Sequence, residues 1–170
     1  AVLCWLWNRV HLGRDDWPRR LVYCLPMRTL VEQTEGEVRA WVAKLHDQGH
    51  IAGKPRVVVL MGGETLEGDE KEWDIHPEDN AILIGTQDML LSRALNRGYA
   101  CPRARWPMEY ALLNADALWV LDEVQLMDVG LITSVQLQVF RERPFPHSLG
   151  LPLVSCWWMS ATLQPDWLKT

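Results

Sequence analysis

Five short, continuously apolar runs constrain the fold of this chain more than any other feature of its sequence. They are rich in β-branched residues, and longer segments with helical periodicity separate them. Buried strands that alternate with helices are typical of a parallel β-sheet with helices on both faces. The sequence therefore predicts an α/β fold, with strands at residues 21–25, 56–61, 81–84, 118–121 and 153–159.

Helical periodicity is found in four segments. Apolar residues recur with i, i+3, i+4, i+7 spacing in residues 31–45, and further helices are predicted at 87–96, at 129–141 and within the first ten residues. No Ser, Thr, Asp or Asn precedes the apolar opening segment as a cap. We therefore expect the chain to begin inside a structural element, with further sequence upstream.

Composition excludes several classes of protein. The 170 residues carry 17 Lys and Arg against 22 Asp and Glu, so bulk positive charge does not hold a nucleic acid and only a local basic patch is compatible with binding. The four cysteines form neither a zinc knuckle nor a Cys-x-x-Cys pair. Reduced thiols fit a cytoplasmic protein. No apolar stretch reaches the roughly 18 residues of a membrane span, so we expect no membrane partner.

Each apolar run is followed by a polar or glycine-rich signature. In parallel sheets, ligands bind beyond the carboxyl ends of the strands. The signatures should therefore meet at one edge of the sheet. They are Pro-Met-Arg-Thr at 26–29, Gly-Gly-Glu at 62–64, Gly-Thr-Gln-Asp at 85–88, Asp-Glu-Val-Gln at 122–125 and Ser-Ala-Thr at 160–162.

Asp122 and Glu123 follow an apolar strand as two adjacent carboxylates. One carboxylate can hold Mg²⁺, because this hard cation prefers oxygen ligands. The other can polarise a water that attacks a γ-phosphate. An Asp-Glu pair alone is more often a solvated surface pair, and a Ser-Ala-Thr tripeptide often only caps a helix. The preceding strand and Gln125 favour the functional interpretation.

In this order, the signatures resemble those of the first RecA-like domain of superfamily 2 helicases, over nearly the whole chain. Residues 86–95 and 121–127 are most similar to the CRISPR-associated helicase-nuclease of type I systems, with subtype I-G (formerly I-U) the nearest. The resemblance implies an ATP-dependent DNA helicase or translocase that acts in CRISPR interference and uses ATP and Mg²⁺. The implied partners are single-stranded DNA, a CRISPR target-recognition complex and the second RecA-like domain of the same protein.

The resemblance also implies roles for individual residues. Asp122 would hold Mg²⁺, usually through water, and Glu123 would activate the attacking water. Gln125, where relatives often carry His, would hydrogen-bond towards Ser160 or Thr162 and the γ-phosphate, and its amide does not titrate near neutrality. The coupling residues would be Ser160, Ala161 and Thr162. The residues that would contact the nucleic-acid strand are Arg28, Thr29, Gly62, Gly63, Thr86 and Asp88.

Other side chains leave alternatives open on the nucleic-acid side. Arg28, with the Thr29 hydroxyl and the first N–H groups of the next helix, can bind a phosphate, or Arg28 is only a surface charge. The arginines at 93, 97, 103 and 105 either extend this contact or form a solvated face. Trp106, Trp157 and Trp158 could stack on bases, although a strand position favours core packing for the last two.

The chain departs from the family pattern at the phosphate loop. The family needs Gly-x-x-x-x-Gly-Lys-Ser/Thr, and the only Gly-Lys pair here, Gly53-Lys54, follows a helix and precedes Pro55. We therefore expect residues 1–170 to be a partial domain, inactive alone and lacking the phosphate-loop strand, with that loop directly upstream. The second RecA-like domain and any His-Asp nuclease domain would lie outside this chain. The alternatives are another superfamily 2 helicase, a restriction translocase, or a non-catalytic nucleic-acid-binding module.

Overall fold

A computed structural model describes residues 1–62, 73–99, 101–142 and 154–162. Within them, five parallel strands form one sheet in the order β2-β3-β1-β4-β5. The predicted α/β class is confirmed, and each predicted run contains a strand. The strands are β1 (Arg20–Leu25), β2 (Arg56–Leu60), β3 (Ala81–Thr86), β4 (Ala117–Leu121) and β5 (Ser155–Trp158).

Helices cover both faces of the sheet, as predicted. The first two helices pack on one face, and the last three pack on the other. Helix α1 continues directly as a π-helix at Leu6–His11, and Ala1 before it provides no side-chain cap. No helix in the described ranges is long and apolar enough to cross a membrane. The helices are α1 (Val2–Trp5), α2 (Arg28–Asp47), α3 (Gln87–Ala94), α4 (Trp106–Leu113) and α5 (Val129–Arg141).

Strand β1 lies at the centre of the sheet and is buried along its whole length. Its side chains alternate between two hydrophobic cores, because successive residues of a strand point to opposite faces. Val22 and Cys24 belong to the core under α3 and α5, whereas Leu21, Tyr23 and Leu25 belong to the core under α1 and α2. Burial on both faces explains why this strand reads as an unbroken apolar run.

One prediction about β5, which lies at an edge of the sheet, is wrong. Trp157 and Trp158 are 36% and 38% exposed, so the expectation that they pack in the core is wrong. The reason is that the described elements leave the faces of β5 partly uncovered, whereas the other edge strand, β2, is buried. The Trp158 indole N–H donates to Ser134 Oγ at 2.9 Å, and Trp157 contacts Trp17 edge to face.

Gly85 in β3, beside the predicted strand contact Thr86, leaves no room for a larger side chain. A Cβ atom at this position would lie 2.5 Å from the Leu60 carbonyl oxygen of β2. We expect Gly85→Ala to lower the free energy of unfolding by about 1–3 kcal/mol, because overpacking forces a backbone shift. Urea denaturation measures this change.

The matched control for this substitution is Gly36→Ala, in the interior of α2. A Cβ atom on Gly36 meets no atom within 4 Å. Because alanine favours a helix over glycine, this change should stabilise the protein by about 0.5–1 kcal/mol. Opposite signs for the two substitutions are therefore expected, and a neutral or stabilising Gly85→Ala would contradict the close approach of β2 and β3.

Candidate functional site

The described residues of the five signatures lie at the carboxyl edge of the sheet, and the strand order arranges them in two groups. Gly62 and Arg28 follow β2 and β1, and Thr86 is the last residue of β3; these three strands are neighbours on one side. Asp122 and Ser160 follow β4 and β5 on the other side. The residues predicted to contact a nucleic-acid strand are thus separated along the edge from those predicted to act on a nucleotide.

Hydrogen bonds fix Asp122 at the end of β4. Its backbone N–H donates to the Cys24 carbonyl oxygen at 3.0 Å. The Tyr23 hydroxyl donates to its Oδ2 at 2.7 Å, and the Glu123 backbone N–H donates to its Oδ1 at 2.9 Å. Each carboxylate oxygen therefore accepts a hydrogen bond, which orients the side chain.

Tyr23 is a site residue that the sequence did not predict. Burial raises the pKa of the Tyr23 hydroxyl, and its hydrogen bond to Asp122 raises it further, so the hydroxyl stays protonated and donates. The parallel register places Tyr23 opposite Val120, two residues before Asp122. A single hydroxyl within an apolar run was a signal, but its partner depends on β1 lying beside β4.

A hydrogen-bonded network joins the end of β4 to the end of β5. The Gln125 amide donates to Glu123 Oε2, and the Ser160 hydroxyl donates to Gln125 Oε1 at 2.7 Å. The Thr162 backbone N–H donates to Ser160 Oγ at 3.1 Å. We call Asp122, Glu123, Gln125 and Ser160 the carboxylate network. The expected contact between Gln125 and Ser160 is present, while Thr162 contributes its backbone and Ala161 is exposed between the two.

Glu123 has a left-handed backbone conformation, with φ 54° and ψ 43°. This conformation is uncommon outside glycine, asparagine and aspartate, and it costs of order 1–3 kcal/mol. The surroundings hold it, since the Val124 N–H donates to the Met159 carbonyl oxygen at 3.1 Å. Strained residues of this kind cluster at functional sites, which makes Glu123 a candidate for a catalytic role.

The donor chemistry of Asp122 and Glu123 suits Mg²⁺. The described part of the chain contains no group of three or more His, Cys, Asp or Glu side chains that could hold a metal ion. Mg²⁺ does not need such a cage, because proteins usually bind it through one or two carboxylates together with water and substrate phosphates. Two adjacent half-buried carboxylates at a strand end therefore fit this cation.

A cleft of about 410 Å³ opens beyond β1, β2 and β3, and we call it the Arg28 cleft. Arg28 Nη1 donates to the Gly62 carbonyl oxygen at 2.9 Å across it. Helix α2 begins at Arg28 with neither a side-chain cap nor an acidic residue in its first turn. Its N-terminal N–H groups and dipole therefore favour an anion in this cleft. Four predicted strand contacts line it, namely Arg28, Gly62, Thr86 and Asp88.

The remaining predicted strand contacts differ in their placement. Thr29 is exposed in the first turn of α2 and does not belong to the lining of the Arg28 cleft. Gly63 lies outside the described residues. Thr86 is buried at the N-cap position of α3, and Asp88 is exposed in the first turn of the same helix.

Both interpretations of the arginine cluster are wrong for Arg93. Its side chain is 4% exposed and pairs with Glu109, with Nη1 at 2.5 Å from Oε1. Arg105 likewise pairs with the buried Asp74. The acids that pair with these arginines lie outside the arginine cluster in the sequence, at positions 109 and 74.

Two further sequence features have structural positions away from the carboxylate network. Gly53 and Lys54 precede β2 and so lie at the amino edge of the sheet, opposite the end of β4, which agrees with their rejection as a phosphate loop.

The Trp106 indole N–H donates to the Cys101 carbonyl oxygen at 2.9 Å, and the Arg103 guanidinium lies 5.9 Å from its ring centroid. These contacts give Trp106 a structural role.

Comparison with known proteins agrees with this architecture. The chain matches no protein-family model and none of the curated proteins. It does match solved structures, 13 chains in all. One is the yeast DEAD-box splicing factor Prp28, with a TM-score of 0.51 and 19% sequence identity. The alignment covers 89% of this chain and 29% of the Prp28 chain. The predicted RecA-like fold is thereby confirmed.

Proposed function

We propose that this chain is the part of an ATP-dependent helicase or translocase that binds single-stranded DNA and activates water for ATP hydrolysis. The observation that carries the proposal is that the Arg28 cleft and the carboxylate network share one sheet edge and meet at β1. Tyr23 in β1 donates to Asp122, and Arg28 follows the same strand. One strand thus touches both groups of residues.

On the nucleotide side, each residue of the network has a distinct task. Asp122, oriented by Tyr23, would hold Mg²⁺, which neutralises phosphate charge when bound. Glu123 would accept a proton from the water that attacks the γ-phosphate, and the Gln125 amide, bonded to Glu123 Oε2, orients its carboxylate. The hydrogen bond from Ser160 to Gln125 would couple a movement of Gln125 to the end of β5.

On the nucleic-acid side, the Arg28 cleft would bind one phosphate of the strand. The guanidinium and the first N–H groups of α2 supply positive charge and donors, and Thr86 and Asp88 border the same space. Contacts of this kind position a strand without reading its sequence. The module would therefore bind single strands of any sequence.

A more specific role follows from the motif resemblance. We propose that the complete protein acts in CRISPR interference, where a target-recognition complex recruits it, and that its second RecA-like domain closes over the carboxylate network. The similarity of residues 86–95 and 121–127 to the type I helicase-nuclease supports this assignment. Stimulation of ATP hydrolysis by a target-bound recognition complex would test it. Stimulation by bare single strands alone would favour another superfamily 2 helicase or a restriction translocase.

Arg28→Ala tests the phosphate contact. We expect the substitution to weaken binding of single-stranded DNA to a similar degree for all sequences. The slope of log affinity against log salt should become shallower by about 0.7, the value for one phosphate contact on a single strand. Fluorescence anisotropy over a salt series measures both quantities.

The matched control is Arg39→Ala on the same helix. Arg39 pairs with Glu35 on the exposed surface of α2, well beyond its first turn. Its loss should leave the salt slope unchanged. If Arg28→Ala also leaves the slope unchanged, Arg28 is a surface charge and does not contact a phosphate.

A further inference from the structure

Tyr99 is a prominent aromatic side chain beside the Arg28 cleft, and the function proposed above gives it no role. Its side chain is 63% exposed, and it lines the cleft together with Arg28 and Gly62. Its Cε1 lies 3.9 Å from the position that a Cβ atom on Gly62 would occupy. Because Arg28 donates to the Gly62 carbonyl oxygen, the guanidinium and the ring border the same glycine.

The backbone that carries Tyr99 has contacts at Tyr99 itself and at Gly98 before it. Arg93, held by Glu109, donates from Nη2 to the Tyr99 carbonyl oxygen at 3.5 Å. Gly98 packs so closely on Trp106 that an added Cβ atom would lie 2.2 Å from the indole ring. The exposed ring therefore belongs to a segment whose backbone contacts side chains of α3 and α4.

Tyr99 also lines a second cleft. It has a volume of about 640 Å³ and lies between α3 and α5. Tyr99 and Asp88 line both this α3–α5 cleft and the Arg28 cleft. The walls of the α3–α5 cleft include the apolar side chains of Leu91, Leu95, Met127 and Val129. A polar cleft suited to phosphate and a largely apolar cleft thus adjoin one exposed aromatic ring.

We propose that Tyr99 is a stacking platform for a nucleobase of the single strand whose phosphate occupies the Arg28 cleft, with the base directed towards the α3–α5 cleft. This inference rests on the proposed function, since it requires a strand at Arg28. A flat aromatic face beside a phosphate site matches the way proteins bind single strands, where bases stack on aromatic rings while cationic groups hold the backbone. Stacking of this kind tolerates every base.

The test compares two oligonucleotides of equal length, one of deoxythymidine and one of abasic sugar-phosphate units, by fluorescence anisotropy with the full chain. Tyr99→Ala should weaken binding of the deoxythymidine strand by roughly 5- to 150-fold, the effect of losing one stacked base. Tyr99→Phe should retain binding, because it keeps the ring. Affinity for the abasic strand should be the same for Tyr99→Ala and the unmodified protein.

The control variant is Tyr110→Ala, on α4 and outside both clefts. Tyr110 is 44% exposed, so its removal should change neither affinity. Equal losses on both oligonucleotides, or no loss on either, would overturn stacking at Tyr99. Arg28→Ala should weaken both strands, so its failure to do so would overturn the phosphate contact independently. A protein that binds neither oligonucleotide would overturn both proposals.

Discussion

Replacing Glu123 with Gln in the complete protein is expected to lower strand-stimulated ATP hydrolysis by about 10²- to 10⁴-fold, the usual contribution of a general base. The amide keeps the volume of the side chain but does not accept a proton from water. The hydrogen bonds from Gln125 to the side chain and from the Val124 N–H to Met159 hold this position, so the loss is chemical and not positional. Steady-state release of phosphate measures it.

Binding measurements separate this loss from unfolding. Nucleotide affinity should be preserved in Glu123→Gln. Strand binding with ATP should persist or tighten, because the bound ATP is not hydrolysed. Asp122→Asn should behave differently and weaken the dependence on Mg²⁺. Turnover above about a tenth of normal in Glu123→Gln would remove Glu123 from the catalytic role, since a general base contributes far more.

Among the substitutions proposed for stability, removing one partner of the buried Arg93–Glu109 pair should produce the largest loss. Both side chains are 4% exposed. Glu109→Leu would leave an uncompensated buried guanidinium, which costs about 3–5 kcal/mol. We expect this decrease in the free energy of unfolding in urea. Because Arg93 also donates to the Tyr99 carbonyl oxygen, strand affinity should fall as well.

A double substitution and a surface control make this prediction specific. Arg93→Met combined with Glu109→Leu should recover most of the lost stability, since replacing a whole buried pair by apolar side chains is often neutral. Glu35→Ala, which removes the half-buried partner of the exposed Arg39, should cost less than about 1 kcal/mol. A Glu109→Leu protein as stable as the Glu35→Ala protein would show that Arg93 does not depend on its buried partner.

The sequence predicted β1 to β4 well because they are buried almost throughout and so read as unbroken apolar runs. It also predicted the edge on which the signatures meet, since carboxyl ends of parallel strands share one edge. Helix α4 was missed. Its segment, Trp-Pro-Met-Glu-Tyr-Ala-Leu-Leu, is apolar on most sides and lacks the periodicity of an amphipathic helix.

The contacts that depend on three-dimensional neighbours could not be predicted. The Tyr23–Asp122 hydrogen bond joins residues 99 positions apart and requires β1 beside β4. The exposure of Trp157 and Trp158 depends on how little of β5 the described elements cover. The Arg93–Glu109 pair joins α3 to α4, so it could not be predicted without α4. The proposed role of Tyr99 likewise depends on two clefts that share its ring, which the sequence does not indicate.

The central claim is that nucleotide and strand act on one edge of this sheet and influence each other through it. The most direct measurement is phosphate release from ATP and Mg²⁺ by the complete protein, with and without single-stranded DNA, for the unmodified protein and Arg28→Ala. The account predicts that DNA accelerates release and that Arg28→Ala requires more DNA for the same acceleration. A rate that DNA does not change, in a protein that binds both ATP and DNA, would contradict it.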